Sequence, residues 1–285
     1  MFFILPALAV TVGFIAYPAV MSAYYSFFDW EGLGGSREFV GLGNWARILS
    51  DPVIGESIAH NLVFILVAVF VQVPFAFAIA LVLTRAKVFG RSIYRLAYFL
   101  PVILSVSVVG ILWTWVYNPQ FGLLNEFLKF IGLGSLARPW LGSSLTDLPA
   151  VILATCWQVT GFYIVVFLSA LAGIPEDIYD AAAMDGVNLW QLGAHITGPM
   201  LREVFAVLVA IAIISSLKRF DLVYVMTQGG PVHSTEVLAT YLFKNAFLAY
   251  ELGYASTISF LLFLLTVSLV VFQLRSMRSV ETVEY

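Results

Sequence analysis

Charge is scarce in this sequence. Only 11% of its 285 residues are Asp, Glu, Lys or Arg, against about a quarter in a soluble domain. That is too little polar surface to cover a water-soluble globule, so lipid takes the place of water around most of the chain. The net charge of -3 is small, and no basic stripe with interleaved aromatics occurs, which excludes nucleic acid as an expected partner. Cysteine is nearly absent too: the single Cys156 cannot form an intrachain disulfide. His60, His195 and His233 lie too far apart for a spacing such as His-x-x-x-His, so no metal is assigned. A Gly-x-x-x-x-Gly-Lys-Ser/Thr phosphate loop is missing, and so is a nucleophile elbow, so no cofactor and no enzymatic hydrolysis are expected of this chain.

Apolar residues are what the sequence has. They make up 61% of the chain, with a mean hydropathy of +0.95. A helix needs about 20 such residues to cross the hydrocarbon core, and six stretches qualify: 2–25, 62–83, 93–117, 150–172, 204–226 and 255–274. The third carries Arg95 near its entry and Pro101 inside; the fifth is interrupted at its far end by Lys218, Arg219 and Asp221. The first stretch has no basic residue ahead of it and exceeds a signal-peptide core, so it is read as a retained span. Its abrupt start points to a missing basic leader.

Lys and Arg in short loops set the orientation. The inner segments then hold Arg85, Lys87, Arg91, Arg95, Arg202, Arg275 and Arg278, and the outer ones Arg37, Arg47, Lys129, Arg138 and Lys244. The loop between spans two and three decides the matter, because it is rich in basic residues and has no acid. Both termini are expected inside. Trp113, Trp115 and Tyr117 read as an interfacial belt at one end of span three, where an aromatic ring can face lipid while its polar tip reaches water. The reading is therefore an all-α integral membrane protein with about six transmembrane helices, a single domain over 1–285, and no separate soluble part.

The segment 174–200, between spans four and five, is too polar to span. Pro175 suits a first helical position, Glu176 and Asp177 sit near the positive helix start, and Ala181 to Ala183 favour helix. Gly186 can take positive φ and end that helix. Asn188 can cap a second one with Gln191 three residues on, and Gly198 with Pro199 is expected to stop it. Leu189, Leu192 and Ile196 share one face. The pattern fits an amphipathic connector resting on the membrane at least as well as a docking element.

Here the sequence resembles a known family. Asp180-Ala181-Ala182 followed by Asp185-Gly186 is similar to the EAA coupling loop of permease subunits in bacterial ABC importers. Ile174-Pro175, Tyr179, Trp190-Gln191 and Pro199 resemble its carbohydrate-importing, maltose-permease-like branch. Phe220-Asp221, Tyr224, Thr227, Gly229-Gly230-Pro231 and Ser234-Thr235 match a second family stretch, and Phe39 to Leu42 with Asn44, Asn118-Pro119 with Gly122 and Asn125, and Gly253 to Ala255 fit in the same order. Two departures stand out: Asp180 replaces the commoner Glu, and Gly198 stands where a Leu usually precedes Pro199.

The resemblance implies a type I ABC importer permease fold and a partner set: a second related permease, two ABC ATPase subunits carrying the ATP and magnesium, and an extracytoplasmic solute-binding protein, all at the bacterial inner membrane. It implies that Asp180, Ala181, Ala182, Ala183, Asp185 and Gly186 contact the ATPase. The solute expected is a sugar or oligosaccharide, with a glycerol-phosphate-type solute as the alternative within the family. Candidate path residues are Gln158, Thr160 and Tyr163 in span four and Lys218, Arg219 and Asp221 at the end of span five. The first three serve interhelical hydrogen bonding equally well, and Lys218 with Asp221 also reads as a structural ion pair. An ion-driven secondary transporter would call for mid-span acids and inverted repeats. A membrane-embedded enzyme would need convergent catalytic groups. Neither pattern stands out.

Overall fold

The computed structural model describes residues 4–32, 36–85 and 91–278. Of the positions singled out above, residues 2–3 of the first stretch and Lys87 lie outside the described residues, as do the side chains of Arg91, Arg95 and Arg278. The chain is helical almost throughout, because a backbone in lipid must satisfy its own N–H and C=O groups. A two-residue ribbon, β1 (Phe28–Asp29) paired antiparallel with β2 (Glu38–Phe39), closes the first outer loop.

Among the described residues, four helices are long and apolar enough to cross a membrane: α1 (Leu5–Tyr25), α3 (Pro52–Arg85), α7 (Asp147–Leu171) and α13 (Leu252–Arg278). Between α1 and α3 lies the short outer α2 (Gly43–Ser50). Helix α3 has 34 residues, or about 50 Å at 1.5 Å per residue, well over the hydrocarbon thickness. It begins ten residues before the apolar stretch 62–83, because Asp51 caps it by accepting the Val53 amide at 2.9 Å and Pro52 fits its first turn.

Stretches 93–117 and 204–226 are not single helices. The first is α4 (Arg91–Ile103) and α5 (Val106–Val116), bent by 109°. Pro101 removes one helical bond near the end of α4, and Ser105 restarts the chain as the cap of α5, accepting the Val108 amide at 3.4 Å. A short outer helix, α6 (Leu123–Phe130), follows before α7. After α7 come α8 (Glu176–Met184) and α9 (Leu189–Met200), the latter bent by 83° from α10 (Arg202–Leu217). Helix α10 stops at Leu217, and α11 (Asp221–Thr227) is a separate element. A last short helix, α12 (Leu238–Phe243), precedes α13.

Four widened, π-type turns occur among the described residues; one, Lys244–Leu248, continues α12, and the other three are Val12–Ala16, Ala68–Gln72 and Leu192–Thr197. Each of these three ends two residues before a proline, namely Pro18, Pro74 and Pro199. Proline cannot donate, and its ring crowds the carbonyl four residues back. Widening the preceding turn relieves that crowding without ending the helix. Gly198 and Pro199 therefore do not stop α9, as the sequence suggested. The helix runs to Met200 and breaks at Leu201, which leaves helical geometry with ψ near 17°.

The inner core joins α3 to α7. Ala76 and Ala80 are fully buried, and small residues let helices approach closely. Phe167 is packed between Phe77 and Phe205, with ring centroids 5.3 and 4.7 Å away. Gly161 faces α4, where a Cβ would stand 1.8 Å from the Tyr98 carbonyl oxygen, so only glycine allows that crossing. In a second cluster Leu222 and Val223 of α11 pack with Val109 of α5 and Val151 of α7. Tyr117 belongs to this core rather than to an interfacial belt: it is 2% exposed, and its hydroxyl donates to the Ala150 carbonyl. Of the three aromatics at that end, Trp115 keeps an open face.

Candidate functional site

Two regions hold the candidate residues. The first is the α8–α9 element. Helix α8 ends as its sequence dictates: Gly186 takes φ +71°, its amide donates to the Ala183 carbonyl, and the Val187 amide donates to the Ala182 carbonyl. This is the Schellman arrangement, in which a left-handed glycine satisfies the last carbonyls. Two residues on, Asn188 and Gln191 form a reciprocal capping box at 2.9 and 3.0 Å. The turn between the helices is thus fixed by local chemistry.

The element has an anchored side and an open side. Tyr179, Ala182 and Leu192 are buried in the inner core. Asp180, Ala181, Ala183, Asp185 and Gly186 are exposed, and a Cβ on Gly186 would meet nothing within 4 Å. Two large apolar side chains flank the turn in the open, Met184 at 89% and Trp190 at 80% exposure. Gly193 lies against Leu81 of α3, where a Cβ would come within 2.8 Å. At Gly198, where a Leu usually stands, a Cβ would come within 2.6 Å of the Gly193 carbonyl. The glycine therefore suits the widened turn.

Arg85, the last described residue of α3, reaches across to α8. Its two terminal nitrogens donate to the two Glu176 oxygens at 2.9 and 3.1 Å, and its guanidinium lies 3.2 Å from the centre of the Tyr179 ring. The Tyr179 hydroxyl in turn donates to the Leu171 carbonyl at 3.2 Å. Burial pushes the Tyr179 phenol above its ordinary value, and the Arg85 charge opposes that rise. The 91 residues between Arg85 and Glu176 hide this contact in the sequence; the one hint is that they are the end of a span and the start of the next inner helix.

The second region is where α7, α3 and α10 meet. Gln72 donates to the Thr160 hydroxyl at 3.1 Å, so Thr160 makes an interhelical bond. Tyr163, Gln72, Thr155, Ser215 and Arg219 line one small internal crevice. Gln158 is buried and does not line it. Lys218 and Asp221 are exposed and do not form the ion pair expected of an i, i+3 spacing: among the described residues no such bridge occurs. That spacing places two side chains together only on a continuous helix, and the break at Lys218 to Phe220 removes it. The Nε of Arg219 is buried with no hydrogen-bond partner.

The chain matches the family described as binding-protein-dependent transport system inner membrane component over residues 62–280. It belongs to this family. Its relatives include the Probable ABC transporter permease protein YurN of Bacillus subtilis, 33% identical over 96% of this chain and 94% of that protein. They also include the osmoprotective compounds uptake permease GgtC of Synechocystis, 32% identical over 98% and 99%, and the probable starch degradation products transport system permease AmyD of Thermoanaerobacterium thermosulfurigenes, 27% identical over 98% and 94%. Among solved structures it resembles a bacterial ABC transporter involved in import of the acidic polysaccharide alginate, with TM-score 0.83, 20% identity, and 97% and 94% of the two chains covered. A bacterial alginate ABC transporter in complex with an alginate pentasaccharide-bound periplasmic protein gives a TM-score of 0.85 at 20% identity, with 98% and 93% covered. The fold is the type I ABC importer permease fold, and this chain is a permease subunit of an ABC transport system.

Several residues that carry the family resemblance have structural work in this permease. Asn44 donates to the carbonyls of Ser26 and Phe28, and Gly253 lies so close to the Phe28 carbonyl that a Cβ would stand 2.0 Å away. Together they close the corner between the first outer loop and the start of α13. Thr227 and Thr235 join hydroxyls at 2.7 Å across the loop after α11. The group beside them, a fully buried Glu236 held by Lys244 at 2.5 Å and His233 at 2.9 Å, has no local signature in the sequence.

Proposed function

We propose that this permease subunit carries a sugar or oligosaccharide into the cell through a path it forms with a second, related permease, and that the α8–α9 element docks on a cytoplasmic ABC ATPase. The observation that carries the docking is the open side of that element: small and acidic residues, Asp180, Ala181, Ala183, Asp185 and Gly186, flanked by exposed Met184 and Trp190, on a turn held rigid by two caps. Alanines and glycine permit close approach, the carboxylates can meet basic groups, and the two apolar side chains supply area to bury. A rigid element of this kind transmits the closure of two ATPases into the spans, shifting the population between inward- and outward-open states. ATP and magnesium then belong to the ATPases. A solute-binding protein delivers the solute on the outer side, and both termini lie inside.

The sugar assignment is supported by the branch that the coupling-loop residues resemble and by relatives whose names refer to starch products and alginate. A second reading, a glycerol-phosphate-type solute, is favoured by the unpartnered Nε of Arg219. A buried N–H donor without a partner is costly, and a solute oxyanion would offset that cost. The deciding experiment is uptake into proteoliposomes holding both permeases and the ATPases, with the binding protein outside the vesicles where it meets the outer loops. Radiolabelled neutral oligosaccharide, uronate oligosaccharide and glycerol 3-phosphate are compared. ATP-dependent uptake of either oligosaccharide supports the sugar reading. Uptake of glycerol 3-phosphate alone replaces it, and uptake without ATP rejects the ABC mechanism.

A further inference from the structure

Helix α8 follows α7 in the chain and α9 leads into α10, so motion of the coupling element would be expected to pass into those two helices. The structure adds a third route, through α3. Three contacts from one side chain make it. Arg85 grips Glu176 with both terminal nitrogens and lies over the Tyr179 ring. It is only 18% exposed at the side chain while Glu176 is 70% exposed. One turn further up α3, Leu81 fills the space left by Gly193 of α9. The inner end of α3 therefore touches both helices of the coupling element, one by a charge and a ring, the other by close packing.

As a source of stability the ion pair is weak. A pair with one partner so exposed contributes about 0–1 kcal/mol. As a directional device it is strong, because a planar guanidinium bonded to both oxygens of a carboxylate fixes angle as well as distance. Stacking on Tyr179 holds the plane from a second direction. A lone exposed lysine would give the charge without the geometry. From Arg85 the helix runs without a break to the widened turn at Ala68–Gln72, whose last residue bonds to Thr160. A displacement of α8 delivered to Arg85 thus arrives at Gln72, near the middle of α3.

We propose that Arg85 is a positioning residue for energy coupling: it makes the coupling element and the inner half of α3 one rigid body, so that span two moves with the ATPase. This rests on the docking role proposed above. The test uses the complete transporter, both permeases with the ATPases and the binding protein, in proteoliposomes, reading solute uptake and ATP hydrolysis together.

Arg85→Met should lower uptake per ATP hydrolysed by about tenfold, within the range usual for coupling between sites. The ATPases should still co-purify. Arg85→Lys, which keeps the charge and loses the two-point grip, should restore only part of the ratio. The decisive variant joins Arg85→Cys with Glu176→Cys in a Cys156→Ala background, bridged by a bifunctional maleimide. If the two helices travel together, the bridged transporter keeps turning over and recovers the ratio lost without the bridge. Loss of turnover on bridging shows that they separate during the cycle and overturns the proposal. An unchanged ratio in Arg85→Met overturns it as well. If the unsubstituted complex binds no ATPase and shows no ATP-driven uptake, the docking role itself falls, and this assignment with it.

Discussion

Asn61 of α3 donates to the carbonyl of Ser216, 2.9 Å away at the broken end of α10. Its side-chain oxygen accepts the amide of Leu238, at the start of α12, at 3.0 Å. One buried amide thus pays for two loose backbone ends, at the only kind of place where a broken helix is tolerated in a membrane. Asn61→Ala leaves the Leu238 amide without its partner, while the Ser216 carbonyl keeps the Arg219 amide at 3.4 Å. An unsatisfied buried amide costs about 1–3 kcal/mol, so the variant should lose about that much, read as a lower unfolding midpoint in detergent.

Glu236 is a second buried support. It has no exposed surface; Lys244 is its charged neighbour, and His233 Nδ1 lies within hydrogen-bond distance. Removing one partner of a buried pair costs about 3–5 kcal/mol, because the remaining charge is left without compensation. Lys244→Met should therefore destabilise more than Glu236→Gln, which removes the charge together with the need for a partner. Paired thermal unfolding curves check the order, and the reverse order would contradict it.

At the outer corner, Asp51 accepts the hydroxyls of Tyr241 and Tyr254 at 2.7 Å each. Burial alone would raise the Asp51 carboxyl, but these bonds, the Val53 amide and Arg47 hold it below its ordinary value of 3.8. Burial and the Asp51 charge push the Tyr241 phenol up to about 12. A carboxylate whose folded pKa is depressed stabilises the fold above its unfolded pKa, and loses that contribution as pH falls through the folded one. Stability contributed by Asp51 is thus complete above about pH 5, about a unit over the ordinary Asp value, and declines below 3.8. Asp51→Asn should flatten this acid limb, seen as unfolding midpoints less dependent on pH between 5 and 3.

Much of this was legible in the sequence, for physical reasons that differ by region. The α8–α9 turn was readable because its causes are local: a left-handed glycine at 186 and an Asn188–Gln191 box act within four residues. The long helices were readable because lipid demands apolar runs. Their ends were less so. Helix α3 begins well before the apolar stretch and runs through His60 and Asn61, residues that hydropathy reads as loop and that tertiary partners hold in helix. Likewise the bends at Ser105 and Lys218 depend on how α11 packs under α5, and the grip of Arg85 on Glu176 joins residues far apart in the chain. The path candidates were the least readable, because a polar side chain in a span serves packing and transport equally well, and Thr160 is engaged by Gln72.

Gly186 offers a test that spares the fold. It sits at φ +71° in open space, so Gly186→Ala meets no neighbour and costs only the left-handed strain, about 1–2 kcal/mol. The variant should fold and insert, yet tilt α9 against α8. Uptake per ATP should fall while the spans keep their thermal stability.

The central claim is that the α8–α9 element is where an ATPase binds, and co-purification from native membranes tests it most directly. The tagged chain and its Gly186→Pro variant are extracted in mild detergent, and the associated proteins are identified by mass spectrometry. Proline cannot adopt positive φ or donate to Ala183, so it distorts the turn without touching the spans. The account predicts that an ABC ATPase and a second permease accompany the unsubstituted chain, and that the ATPase is lost from an equally folded variant. A folded chain that brings down no ATPase, or a variant that keeps it at the unsubstituted level, would contradict the account.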